Sequence, residues 1–113
     1  MTNIIIIKNK EGIFTSIECD GHTGYGVAGE DVVCAAASSI VQTAALGMLN
    51  VAQIVPKLKQ DDKKGYFKME IPADITDEQQ HDAQVIFATM LCGLQDLAGE
   101  YSDFIELEVK DVY

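Results

Sequence analysis

The sequence predicts an α+β fold: a two-layer sandwich in which two helices cover a mixed, largely antiparallel sheet of about five strands, in the order β-β-α-β-β-α-β. Three observations carry this expectation. Short stretches rich in β-branched or aromatic residues recur in pairs, each pair joined by turn chemistry. A charge-free run of small residues follows the first pair, and an amphipathic run follows the second. With 113 residues, 48% of them hydrophobic and 23% charged, the chain reads as a single domain over 1–113, able to bury roughly two-thirds of the surface that its unfolded form exposes. A sheet with helices packed on it is the economical way to bury an apolar face of each.

The elements follow in order. Ile4-Ile5-Ile6-Ile7 is β-branched and continuous, which suits a strand buried on both faces. Asn9-Lys10-Glu11-Gly12 supplies a turn, and Ile13 to Cys19 alternates with Ile13, Ile17 and Cys19 on one face, giving a hairpin. Val32 to Val55 holds no charged residue. Its polar interruptions and missing basic or aromatic belt argue for a central core helix rather than a membrane span, with Ala36, Ile40, Ala44, Gly47 and Val51 as the close-packing side. Pro56 ends this helix or opens a short strand over Val55 to Lys59; Asp61 to Gly65 turns, and Tyr66 to Ile71 returns as a strand. Thr76 with Gln79 resembles a capping box. The stripe Ala83, Ile86, Phe87, Met90, Leu91, Leu94, Leu97 and Ala98 then marks a helix face packed in the core, with Gly99 as its C-cap. Ile105, Leu107 and Val109 alternate with charged residues as a last strand.

The loop between the second strand and the first helix carries the chemistry. Gly21, Gly24, Gly26 and Gly29 loosen it, His22 stands where the strand stops, and Cys34 falls at the start of the helix that Asp31 could cap. Taken alone, Cys34 reads equally well as a small buried residue, and a histidine such as His22 is more often an ordinary loop residue. A helix N-terminus lowers a thiol pKa by less than roughly one unit, and Asp20, Glu30 and Asp31 oppose the shift. A reactive Cys34 therefore needs a close imidazole, and His22 is the histidine in the same segment. Ser38, one turn on, could donate a hydrogen bond to the thiolate or to a substrate carbonyl, or back-bond to the carbonyl of residue 34.

Gly21-His22-Thr23-Gly24-Tyr25, followed by Gly29-Glu30-Asp31-Val32-Val33-Cys34-Ala35-Ala36-Ala37-Ser38, resembles the signature of the Prp family of bacterial ribosomal-processing cysteine proteases. Length and element order agree across the chain. The resemblance implies a cysteine nucleophile at Cys34, a histidine at His22, and endoproteolytic removal of a short N-terminal extension from large-subunit ribosomal protein twenty-seven. It also suggests a homodimer, for which the small-residue first helix offers a contact surface. On this reading His22 and Cys34 act as a dyad, and the backbone N–H of Cys34 serves as an oxyanion donor. The loop bearing Gly21, Thr23, Gly24, Tyr25, Gly26 and Gly29 closes over an extended peptide, with Tyr25 as an aromatic contact. Before substrate arrives, the segment from Thr23 to Gly29 is expected to be mobile, with His22 not yet bonded to Cys34.

Composition excludes other classes. Eight basic against 18 acidic residues give a formal charge of −10, which repels nucleic acid and anionic membranes and favours a basic protein partner. Three cysteines, Cys19, Cys34 and Cys92, without paired spacing fit neither a disulfide scaffold nor a zinc site, and no cofactor is implied. With no signal-peptide pattern, the expected compartment is the reducing cytoplasm. Cys19 reads as core, Cys92 as structural and His81 as solvated. Gly24-x-Gly26-x-x-Gly29 matches a dinucleotide fingerprint. The preceding strand ends too early, no acidic residue closes a second strand, and 113 residues leave no room for two mononucleotide halves. A non-enzymatic alternative is an acidic ribosome-assembly factor that binds a basic ribosomal protein and tolerates Cys34→Ala.

Overall fold

The computed structural model describes residues 1–21, 30–61 and 63–112, with the backbone alone for residues 30 and 31. Its elements are β1 (Thr2–Lys8), β2 (Phe14–Asp20), α1 (Glu30–Asn50), β3 (Lys57–Asp61), β4 (Tyr66–Glu70), α2 (Asp77–Glu100) and β5 (Ile105–Asp111). The expected element order and class are therefore present. The five strands form one sheet in the order β3-β4-β2-β1-β5. β1 runs parallel to β5, and the other neighbouring pairs are antiparallel.

This order explains why both helices lie on one face. The β2-α1-β3 and β4-α2-β5 connections each join parallel strands, but start from strands of opposite direction and move opposite ways across the sheet. With the usual right-handed crossover, both helices land on the same side. They share one core, centred on Ile4, Ile6, Ile17, Met69, Phe87 and Leu94.

Local chemistry fixes the turns. The Asn9 side chain accepts the N–H groups of Glu11 and Ile13 at 2.9 and 3.1 Å, and Gly12 takes the positive φ of 77° that closes the first hairpin. In the second, Asp61 accepts from Lys63 and Lys64 and Gly65 sits at φ 64°. The capping box is present in full: Thr76 accepts from the N–H of Gln79, whose side chain accepts from the N–H of Thr76. Gln84 of α2 reaches the sheet and satisfies both the N–H and the carbonyl of Phe14. Beside it, the rings of Phe14 and Phe87 stack at 5.9 Å between centroids.

Four expectations are corrected. Only alternate residues of β1, Ile4 and Ile6, are fully buried; Ile5 and Ile7 lie half-buried on the open face, level with Glu18, Ser16, Glu108 and Lys110 of the flanking strands. The core row of α1 is Val33, Ala37, Val41, Ala44 and Met48, one position on from most of the expected side. Of that expected side, Ile40 and Gly47 face α2, where Ile40 lies over Gly93 and Ile86 over Gly47, while Val51 is 74% exposed. Gly99 lies inside α2, which runs on to Glu100 and closes with Tyr101 donating to the carbonyl of Leu97. The third strand starts at Lys57, after Pro56 rather than before it.

By length and composition, Val32–Asn50 is apolar enough to cross a membrane. Its inner row is part of the core shared with sheet and α2, the position of a central helix. Its outer side also carries apolar residues, with Val32, Leu46 and Leu49 each about half or more exposed.

Candidate active site

The site forms at one end of the sheet, where β2 finishes, β1 and β4 begin and α1 sets out. Antiparallel pairing places Ile4 opposite Cys19 and Phe67 opposite Cys19 on the other flank. A cavity of about 250 Å³ opens there, with Cys34, Ser38, Thr2, Cys19 and Tyr66 among its lining residues.

Cys34 is half-buried on α1. Its Sγ lies 2.9 Å from the Oγ1 of Thr2, a hydrogen bond between helix and sheet. The nucleophile expected from sequence is thus on a cavity wall, joined to the first residue of β1. Ser38 lines the same cavity one helical turn away. Among the described residues, back-bonding to the i−4 carbonyl is made by Thr43 and Thr89, and no such bond joins Ser38 to Cys34.

Gly21 has φ 115°, and a β-carbon built there would collide with the carbonyl of Met1. Only glycine meets both demands, so β2 leaves the sheet at this point on a conformation other residues avoid. This is a more specific reason for Gly21 than general loop freedom.

Two expectations about the helix start change. α1 begins at Glu30, so Asp31 lies within the first turn rather than ahead of it as a cap. Cys34 is then the fifth residue of the helix, where its N–H pairs with the carbonyl of residue 30. That N–H is therefore not available to an oxyanion; among the described residues, the backbone donors left without an intrahelical partner are those of Glu30, Asp31 and Val32. His22, Thr23, Gly24, Tyr25, Gly26 and Gly29 lie outside the described residues, as does the expectation of a mobile loop holding His22 away from Cys34.

Cys19 shares the cavity with Cys34 but not its chemistry. Burial above all, then the charges of Glu18 and Cys34, pushes its thiol up to about 12. It stays protonated at neutral pH and is a poor nucleophile. Cys92 is exposed on α2, and His81 is exposed beside Asp82, as expected for a solvated side chain. Tyr66 donates to the Glu18 carboxylate at 2.8 Å, and that bond holds its phenol above the ordinary range.

Thr2 and Tyr66 escaped the sequence reading. Thr2 precedes the isoleucine run by two residues, and only the strand period, together with the β1-β2 register, reveals that it shares the inner face. Tyr66 appears in the sequence as an ordinary strand residue. Among the described residues, no group of three or more metal-ligating side chains converges.

Comparison with known proteins bears on this arrangement. The family model described as Cysteine protease Prp matches residues 1–106. The chain belongs to the cysteine protease Prp family. The ribosomal processing cysteine protease Prp of Staphylococcus aureus is 33% identical over 110 residues, covering 97% of this chain and all of that protein. The crystal structure of the S. aureus protease with a substrate peptide superposes at a TM-score of 0.86, with 32% identity over 97% of this chain and all of that one. A second S. aureus structure, with a covalently linked product peptide, matches at 0.82 with 33% identity and the same coverage. The family thus has cysteine protease activity, and in this chain Cys34 is a half-buried thiol on the wall of an open cavity.

Proposed function

We propose that this chain is a cysteine endopeptidase that uses His22 and Cys34 as a dyad to remove a short N-terminal extension from large-subunit ribosomal protein twenty-seven, acting in the cytoplasm in support of ribosome assembly. The observation that carries the reading is the half-buried Cys34 on the wall of an open cavity, in a chain whose relative is a ribosomal processing protease.

The chemistry follows from the residue types. His22 takes the proton of Cys34, the thiolate attacks the peptide carbonyl, and His22 returns the proton to the leaving amine. Water then releases the acyl group from sulfur. Ser38, on the same cavity wall, donates its hydroxyl to the thiolate or to the substrate carbonyl. The unpaired N–H groups of the first turn of α1 and its dipole favour developing negative charge. Asp31, in that same turn, is a positioning residue. The glycine-rich segment from Gly21 to Gly29 covers the peptide, with Tyr25 as its aromatic contact. A formal charge of −10 favours a basic substrate over nucleic acid or an anionic membrane.

The enzyme is proposed to be a homodimer. Leu46, Leu49 and Val85 are 59%, 49% and 52% exposed on the outer side of the helical layer, next to a groove between α1 and α2. An apolar strip of this kind suits association with a second copy.

Intact-mass spectrometry of the N-terminally extended ribosomal protein, incubated with the native protein, Cys34→Ala and His22→Ala, tests the function. The expected result is loss of a short N-terminal fragment with the native protein only. A precursor left whole by all three yet still bound would move the protein to the assembly-factor class. A precursor neither bound nor cut would reject this substrate.

A further inference from the structure

Thr2 is the one buried polar residue among the described residues, 6% exposed in a core that is otherwise apolar. Its backbone is fixed by the sheet: the N–H donates to the carbonyl of Phe104 at 2.8 Å, and the residue stands level with Ile105 of β5. Its β-branched side chain has few rotamers within a strand. The hydroxyl projects on the inner face, shared with Ile4 and Ile6, and meets the Cys34 sulfur at 2.9 Å. A buried hydroxyl with a polar partner keeps that partner, because losing it leaves an unsatisfied group in an apolar surrounding.

The thiol form of Cys34 can either give or take this hydrogen bond. The thiolate can only accept. On deprotonation the Thr2 hydroxyl must therefore donate to sulfur, and the bond becomes charge-assisted and stronger.

We propose that Thr2 is a positioning residue for the nucleophile: its hydroxyl donates to the Cys34 thiolate, stabilising that form and holding the sulfur against the cavity wall. The inference rests on the cysteine protease reading for its use, but not for its test. Thr2 touches the Cys34 sulfur. It supplies no proton to the reaction and complements His22, which lies outside the described residues. Among the described residues, the other titratable groups on the cavity wall are Cys19 of β2 and Tyr66 of β4. Burial pushes the Cys19 thiol up to about 12, and the bond to the Glu18 carboxylate raises the Tyr66 phenol, so both titrate above their ordinary ranges.

The test is the pH dependence of Cys34 alkylation by iodoacetamide, read peptide by peptide in a mass spectrometer so that Cys19 and Cys92 are separated from it. Native protein, Thr2→Val and Thr2→Ser are compared, each checked for folding by thermal melting. Valine keeps the shape and loses the hydroxyl; serine keeps the hydroxyl. The midpoint of the Thr2→Val profile is expected to move up by about one pH unit, the scale of one charge-assisted hydrogen bond, and that of Thr2→Ser to stay near native. The midpoint is a cleaner readout than the rate at one pH, since a less acidic thiol is also a better intrinsic nucleophile.

An unchanged midpoint in folded Thr2→Val overturns the proposal, even if peptide cleavage falls. So does an equal shift in the serine variant. Should Thr2→Val not fold, the serine variant against Thr2→Ala gives the same comparison. A native protein that cleaves no peptide but shows the valine-specific shift would reject the protease reading and leave the Thr2 contact standing.

Discussion

The two helices lie side by side on one face of one sheet, yet they are built on different terms. α2 is amphipathic in the ordinary way: a capped start, acidic residues in the first turn, and Ala83, Phe87, Met90 and Leu94 buried along one stripe. α1 carries a core row of mostly small residues, places Cys34 on a cavity wall, and exposes Leu46 and Leu49 on its outer side. One helix holds the fold together; the other presents chemistry at one end and an apolar surface along its back. A helix that serves packing alone shows a clear sequence period, and one with three duties does not.

Four substitutions sharpen this contrast. The largest effect on stability belongs to α2. Phe87→Ala removes a fully buried ring that stacks on Phe14 and is expected to cost about 3–5 kcal/mol in denaturant unfolding. Gly21→Ala acts at the approach to α1, where φ 115° and the Met1 carbonyl both resist a β-carbon. It is expected to lose about 1–3 kcal/mol and to lower peptide cleavage with it. On the outer side of α1, Leu46→Glu at a 59% exposed position is expected to leave the melting temperature nearly unchanged. It should weaken self-association at least ~10-fold in sedimentation equilibrium, the scale of a modest interface residue. The smallest effect is a gain: a β-carbon at Gly99, inside α2, meets nothing, so Gly99→Ala is expected to stabilise by about 0.5–1 kcal/mol. If Leu46→Glu instead unfolds the protein, the outer side of α1 is structural and the contrast fails.

The same contrast explains what the sequence made legible. The hairpins, the Thr76 capping box and the α2 stripe are local patterns written in neighbouring residues, and the structure repeats them. The sheet order was not written locally, because β1 meets β5 across nearly the whole chain. The inner row of α1 was read one position off since nearly every residue from Val32 to Val55 is small or apolar, leaving too little contrast to phase the helix. Asp31 looked like a cap because its residue type suits one, whereas the helix begins a residue earlier at Glu30. At the candidate site, the signature singled out Cys34, which the structure sets on a cavity wall. Thr2 was invisible because its contact with Cys34 is made by tertiary packing between β1 and α1.

The central claim is that Cys34 is the residue that attacks the peptide. The most direct measurement is to quench a single turnover of a substrate peptide in acid and map the acylated residue by tandem mass spectrometry. The account predicts an adduct on Cys34 alone, none on Cys19 or Cys92, and none at all in Cys34→Ala. An adduct on Cys92, or cleavage that persists in Cys34→Ala, would contradict it.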